Sequence, residues 1–533
     1  MVFQYLNIPM LILSAFFLSK TIYLLFNDKK LARYSYILLL GFFQLNCYVT
    51  FVYGTLYGLA ASVAGIFLLI KYFKKRNIVN GLVGISLLSI GYGFKSNYLI
   101  MIVAAFLLLL FDAIVKKSLK SVITLVWGIV FYVIIVTSIS STIYHLTGKK
   151  VDEGTPNTAW VAMGLQESYK APGWWNGYNA KVFADNEYDI SKTKEAISQN
   201  ISERMEELKK DKDYTMSFFS KKTASQWSEG TFECFYITNL DRGRLSNPTW
   251  TDSVKNLMVD GHSANRAVTT ICNYFIVFLW LGIILFLIFD FRKLDAYKLI
   301  FAITFIGGFL FHLVWEAKGQ YTIIYAYLMI PYMLRGYQLL LRRVCNISLG
   351  EKEAKEKRGT IIPVVIIALV VIVIGISNNK VVNETIKLNG DKERYESYMS
   401  HQVDDLDDGN YTIIPGNDSS VTLAGLIDND KKYSDKFAVD CSLISLCNKN
   451  SNGISDQSLG ILEGKIDPGT SVGLSATDRS IFQRWIVKKV KDNTYEIYDE
   501  YNLALTYDKK EKKLSIEQYT GDKNQQWVIY LAK

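Results

Sequence analysis

Long apolar runs alternate with short basic connectors from Met1 to about Ile376; beyond it the pattern changes to short alternating stretches punctuated by Gly, Asn and Asp. Runs of spanning length, about 17–25 residues, fall near 6–26, 34–52, 54–73, 79–94, 97–115, 120–142, 268–289, 297–315, 321–341 and 360–377. The pattern predicts a polytopic α-helical membrane protein of about ten transmembrane helices, six in a first group (1–142) and four in a second (268–377). Residues 143–267 are polar yet carry Trp160, Trp174, Trp175, Phe183, Phe218, Phe219, Trp227, Phe232 and Trp250, enough to build a folded loop domain. Within it, residues 191–212 set Ile197, Ile201, Met205 and Leu208 at helical spacing among charges, which predicts one amphipathic helix.

Charge orients these segments. Lys29, Lys30 and Arg33, then Lys71, Lys74, Lys75 and Arg76, then Lys116, Lys117 and Lys120, then Arg292, Lys293 and Lys298, and finally Arg342, Arg343 and Lys352 to Arg358 mark every second connector. By the positive-inside rule these face the cytoplasm, so a multi-pass cell-membrane protein with 143–267 and 378–533 outside is expected. Helix one then runs inward from an outer Met1, and a chain shortened at its N-terminus relative to a longer polytopic protein is the favoured explanation. Half the residues are hydrophobic, 20% are charged, mean hydropathy is +0.14 and the formal charge is +9. Roughly plus fifteen sits in the membrane portion, mostly in its inner connectors, which absorbs the basic excess and removes a nucleic-acid partner. Six cysteines and four dispersed histidines argue against a disulfide scaffold or a zinc site, and neither metal nor cofactor is expected.

Beyond a linker at 378–408 with Asp404, Asp405, Asp407 and Asp408, residues 409–533 repeat internally. Asn410-Tyr411-Thr412-Ile413 returns two periods later as Thr494-Tyr495-Glu496-Ile497, and Gln483-Arg484-Trp485 returns one period later as Gln525-Gln526-Trp527. Three units of about 41 residues without helical periodicity predict an all-β trefoil. The Q-x-W triplets resemble the signature of ricin-type lectins. That resemblance implies structural roles for Gln483, Trp485, Gln525 and Trp527, with sugar held by an acid well upstream of each triplet. Glu463 occupies this position in the middle unit and is the expected carbohydrate-binding residue; Thr506 stands there in the last unit and Ala424 in the first. Cys441 and Cys447 lie in the same domain, paired or unpaired.

Ionisable residues bordering membrane helices are costly and mark function. Lys95, in Gly93-Phe94-Lys95-Ser96-Asn97-Tyr98, and the stretch from His312 through Trp315, Glu316, Lys318, Gln320 and Tyr321 both fall at outer helix ends. Phe309 to Tyr321, with Tyr325 and Ile330-Pro331-Tyr332, resembles the late helices of GT-C glycosyltransferases, in the branch similar to dolichyl-phosphate-mannose–protein mannosyltransferases of Gram-positive bacteria. Trp160 to Leu165, Pro172 to Asn176, Trp227 to Phe232 and Tyr53 to Leu59 resemble other parts of those enzymes. The resemblance covers about residues 1–375. It implies transfer of a sugar, with inversion, from a polyprenyl-phosphate carrier in the membrane lipid to an extracytoplasmic glycan or protein acceptor. On that basis Lys95 is the first choice for the lipid phosphate and Lys318 the second. Glu316 and Gln320 would position the carrier head group or sugar, and Tyr321 would line the pocket. The family's catalytic Asp lies in a first outer loop that this chain does not contain, so no base is assigned; Asp152, Glu153 and Glu167 are merely outer-loop acids. The competing reading is a catalytically incomplete membrane protein that tethers surface glycan through its trefoil or partners a full transferase. A transporter fits less well, because mid-helix carboxylates are missing.

Overall fold

The computed structural model describes residues 2–148, 154–168, 171–238, 257–258, 263–290, 295–343, 362–385, 406, 409–428, 433–440, 443–448, 455–462, 466–476, 481–499 and 501–532. By packing, the chain forms two units. One is helical (residues 1–153, 223–240 and 267–385); the other joins 154–222 and 241–266 with the C-terminal β domain from 386 onward. Residues 143–267 thus contribute to both.

Among the described residues six helices are long and apolar enough to cross a membrane: Val2–Phe26, Thr55–Lys75, Ser96–Val115, Leu119–Thr147, Ser263–Phe289 and Ala296–Val314. Hydropathy alone predicts ten, and the other four runs depart for separate reasons. Ile78–Phe94 has only 17 residues, and within the 24-residue helix Ile362–Thr385 the described apolar stretch is Ala368–Val382. Gly319–Arg343 has the length but also carries Gln320, Arg335, Gln338, Arg342 and Arg343. The run 34–52 is broken. The helix Lys29–Leu40 ends at Gly41, whose N–H closes back on the Ile37 and Leu39 carbonyls, and only the short turns Phe43–Cys47 and Tyr48–Thr50 follow.

End-to-end hydrogen bonds fix helix directions. Asn7 donates to the Val49 carbonyl at 2.9 Å, the Tyr57 hydroxyl reaches the Phe3 carbonyl at 3.2 Å, and the Lys74 ammonium meets the Leu24 carbonyl at 2.8 Å. Val2–Phe26 and Thr55–Lys75 therefore run the same way, and residues 29–50 carry the chain back between them. Thr55–Lys75 and Ile78–Phe94 pack at near backbone contact: a Cβ at Gly65 would stand 2.6 Å from the Gly84 carbonyl oxygen, and one at Gly84 2.9 Å from that of Gly65. Small residues allow this approach, which suits association where lipid supplies no hydrophobic drive. At the Lys75 end, Arg76 forks onto buried Asp112 at 2.5 and 2.8 Å, and Asp28 accepts from Gln338 at 2.7 Å and Arg342 at 3.1 Å.

In the second unit the expected amphipathic helix is Ile190–Lys210, capped by the Asp189 carboxylate on the Lys192 N–H. Ile197 faces Ala159, Ala162 and Val182, with Ile201 packed alongside. Among its described residues the β domain forms one antiparallel sheet of ten strands: β1 (Gly409–Pro415), β2 (Tyr433–Asp440), β3 (Leu443–Asn448), β4 (Ser455–Ile461), β5 (Val472–Ala476), β6 (Ile486–Lys491), β7 (Thr494–Tyr498), β8 (Leu503–Asp508), β9 (Lys513–Gln518) and β10 (Gln526–Leu531). β1, β3 and β7 hold equivalent places: β1 pairs with β10 and β2, β3 with β2 and β4, and β7 with β10, β6 and β8. The units are unequal, beginning at Gly409, Leu443 and Thr494. Where the second and third units carry the hairpins β4–β5 and β8–β9, the first has the short helix Leu423–Ile427. The first unit also carries no Q-x-W triplet in its sequence.

Candidate functional site

The site residues named for the membrane portion meet at the Thr55 end of the helical unit. Ile78–Phe94 stops at Lys95, whose backbone is extended. Its side chain donates to the Thr55 hydroxyl at 3.0 Å, with the ammonium 4.8 Å from the Tyr53 ring centre and 5.5 Å from that of Tyr321. Both approaches suit a cation over an aromatic face. Gly54 makes this possible: its φ is +71°, and a Cβ there would fall 2.3 Å from the Phe94 carbonyl oxygen, so only glycine lets the Tyr53 loop lie against the end of the helix.

Between Ile300–Val314 and Gly319–Arg343 the chain leaves helical geometry at Trp315. Glu316 and Gln320 are buried, and Glu316 accepts the Tyr321 hydroxyl at 3.2 Å. His312 is buried against the rings of Tyr321, Trp227 and Tyr325, consistent with an interhelical packing role. Lys318 lies near enough to Lys95 to repel it. Desolvation, reinforced by that repulsion, lowers the Lys95 pKa to about 7. Burial acts the same way on Lys318, but the carboxylates of Glu233 and Glu316 outweigh it and hold that ammonium above the usual lysine value.

Glu233 is not distinguished by the sequence. It follows the Trp227 to Phe232 motif, and with Phe232 it forms two successive non-glycine residues at positive φ, +51° and +59°. Such strain persists only where the surroundings impose it, and here they do. The carbonyls of Gln226, Trp227, Ser228, Gly230 and Phe232 accept from Thr322 (2.8 Å), Trp280 (3.3 Å), Asn378 (3.0 Å), Gln44 (2.9 Å) and Tyr48 (2.6 Å). The Gly230 N–H donates to Asn273 at 2.8 Å. Seated this way, the segment presents buried Glu233 to the Gln320 N–H at 3.2 Å, and buried Glu229 bonds the Thr231 N–H at 2.8 Å. Gly319 permits the approach, since a Cβ on it would lie 3.3 Å from Phe232 and Glu233. The only sequence signal for Glu233 is its place immediately after that motif.

Of the outer-loop acids, Glu167 accepts the Tyr214 hydroxyl at 2.6 Å in the second unit, while Asp152 and Glu153 lie outside the described residues. In the β domain, Trp485 and Trp527 are fully buried and repeat one geometry: their indole N–H groups donate to the carbonyls of Leu459 on β4 (2.9 Å) and Leu505 on β8 (3.0 Å). Gln483 donates to the Ser475 hydroxyl at 2.7 Å, and Gln525 to the Gln518 carbonyl at 2.8 Å. Glu463 and Cys441 lie outside the described residues. Among the described residues no group of His, Cys, Asp and Glu could hold a metal ion.

No protein-family model matches the chain, and no curated protein matches it. A solved structure that resembles part of it is a designed threefold-symmetric protein, ThreeFoil. That match covers 23% of this chain and 98% of the other at 17% identity, and its TM-score of 0.19 is too low to carry an argument.

Proposed function

We infer that the chain is a membrane glycosyltransferase similar to the GT-C mannosyltransferase-like enzymes, using a polyprenyl-phosphate-linked sugar and acting at the extracytoplasmic face. The observation that carries this reading is Lys95. It is a partly buried cation with a hydroxyl, two aromatic rings and a neighbouring lysine around it, and no carboxylate partner among the described residues. A cation placed this way is completed by an anion, and a phosphate beside two tyrosines and two buried carboxylates suits a lipid-linked sugar. In the reaction the acceptor hydroxyl oxygen bonds to the anomeric carbon as the bond from that carbon to the phosphate oxygen breaks. The bonding electron pair leaves on the phosphate, stabilised by Lys95 and Lys318, while the hydroxyl proton passes to a carboxylate. Glu233 is the first candidate for that acceptor because hydrogen bonds to the carbonyls of the segment before it seat its carboxylate on the Gln320 N–H, and Glu316 is the second. Ten passes follow if residues 29–50 and the three remaining runs also cross. The β domain is read as a trefoil that keeps glycan close.

The test is sugar transfer from polyprenyl-phosphate mannose by the full chain in membranes. Lys95→Ala is expected to abolish transfer without lowering membrane abundance; unchanged transfer sinks the assignment. Saturable binding of the carrier with no transfer by the unaltered chain favours the tethering alternative.

A further inference from the structure

The helix that replaces a hairpin in the first β unit has a consequence at the hairpin end of the domain. In the second unit the turn leading into β5 is tied to β9: the Gly469 N–H donates to the Ile516 carbonyl at 2.8 Å, the Ile516 N–H to that of Thr470 at 3.0 Å, and Ser471 bridges Ser515. The two hairpins, β4–β5 and β8–β9, therefore close on each other. On the third side the one-turn helix Leu423–Ile427 is too short to fill the space, and a cavity of about 680 Å³ remains. Leu426, Ile427, Val472 and Leu514 give it an aliphatic floor; Ser471, Glu511, Lys512 and Lys513 form its polar side. That volume falls within the range of small-molecule sites, about 300–1,000 Å³.

The charge beside it is local and one-sided. The exposed β8–β9 turn reads Lys509-Lys510-Glu511-Lys512-Lys513, in a domain whose remaining residues are acidic on balance. The turn is ordered: the Asp508 carboxylate accepts the backbone N–H groups of Lys510 at 2.8 Å and Glu511 at 3.1 Å. Lys509 is taken by Asp418 at 3.5 Å, outside the cavity lining; among the described residues Lys512 and Lys513 are the cations of the lining, Lys513 reaching the Gly469 carbonyl at 3.5 Å. A bare anion would be repelled by Glu511, and a neutral sugar would leave two lysines without an anionic partner. A ligand with hydroxyls for Glu511 and Ser471, a carboxylate or phosphate for the lysines and an apolar ring face for the floor satisfies all three.

We propose that this cavity is a binding site for an anionic saccharide, a sugar bearing a carboxylate or a phosphate. None of the Gln and Trp residues of the triplets lines it, and it stands independently of the transfer reading.

The test is binding of glucuronate, glucose 6-phosphate and glucose to the detergent-solubilised full chain, followed by saturation-transfer NMR and calorimetry. Both charged sugars are expected to bind saturably and glucose at least about tenfold more weakly. Lys512→Glu with Lys513→Glu, on an exposed turn, is expected to weaken the charged sugars by a similar factor. Ser471→Phe, which fills the cavity, is expected to remove binding; if that variant does not fold, Glu511→Gln on the surface is expected to weaken binding severalfold. Lys95→Ala is expected to leave binding unchanged. Equal binding of glucose, no binding at all, or binding that survives filling of the cavity overturns the proposal.

Discussion

The Lys95 ammonium stands 5.5 Å from the centre of the Tyr321 ring, joining the end of one helix to the start of another from a distant part of the chain. Its pKa, about 7, lies below the ordinary lysine value because of desolvation and the charge on Lys318. An anion restores the charged form, so binding near neutral pH takes up a proton. Affinity for a polyprenyl phosphate should therefore fall as pH rises above about 7, and Lys95→Met should flatten that dependence and weaken binding about 10- to 100-fold, the range of a charge-assisted hydrogen bond. Stability runs the other way. Between about pH 7 and the unfolded lysine value the unfolded chain holds a proton the folded one lacks, so the ligand-free protein gains stability as pH rises through that window. Binding isotherms and thermal unfolding at pH 6, 7.5 and 9 check both; an affinity independent of pH would contradict the assignment.

Glu233 supplies a second test, because its backbone is strained and its carboxylate serves Lys318. Glu233→Gln retains an oxygen for the Gln320 N–H and removes only the charge. As the proton acceptor it should lower the transfer rate by about 10²- to 10⁴-fold, the usual contribution of a general base, with donor affinity little changed. A rise in the donor Kd with an unchanged rate would instead make Glu233 a positioning residue for Lys318.

Much of this is legible in the sequence, and the gaps have physical causes. Lys95, Glu316, Lys318, Gln320 and Tyr321 stand out because charged and amide groups at helix ends interrupt apolar runs. Glu233 does not, since nothing in a polar loop distinguishes an acid that will be buried from one that stays in solvent. The broken helix at Gly41 is hidden for a related reason. Hydropathy counts apolar residues, whereas the break reflects Gln44 and Tyr48 turning to hold the carbonyls of Gly230 and Phe232. The two buried Trp residues of the β domain are readable as a repeat; the helix substituted for its first hairpin is not, because the spacing of two triplets says nothing of a unit that lacks one.

Helix packing should control the site from a distance. Gly65 and Gly84 hold Thr55–Lys75 against Ile78–Phe94, and those helices begin at Thr55 and end next to Lys95, which are hydrogen-bonded to each other. A Gly65→Leu side chain would meet the Gly84 carbonyl and Leu88 and force the helices apart; overpacking of this kind costs about 1–3 kcal/mol or more. The expected outcome is weaker carrier binding with Lys95 intact, while Gly41→Ala, at a turn with φ −83°, should change little. Carrier affinity unaltered by Gly65→Leu in a folded protein would show that the helix contact does not position Lys95.

The two triplets predict a graded loss of stability in the β domain. Trp527 is fully buried and donates to the Leu505 carbonyl, so Trp527→Ala removes a large side chain and leaves that carbonyl unpaired. A cost of about 3–5 kcal/mol is expected, enough to unfold many small domains. Gln525 is also buried; its amide nitrogen reaches the Gln518 carbonyl and the Thr506 hydroxyl, and its oxygen accepts the Thr520 N–H at 2.7 Å. Gln525→Ala strands those groups, at about 1–3 kcal/mol. Thr506 spends its own hydroxyl on this network, at the position where a sugar-binding acid would stand, so Thr506→Asp should add a carboxylate against the Gln525 amide without creating a pocket. Chemical denaturation of the full chain, read by tryptophan fluorescence and limited proteolysis of residues 409–533, should order the variants Trp527→Ala, then Gln525→Ala, then wild type. The reverse order would mean that the amide network, and not the indole, locks the repeat.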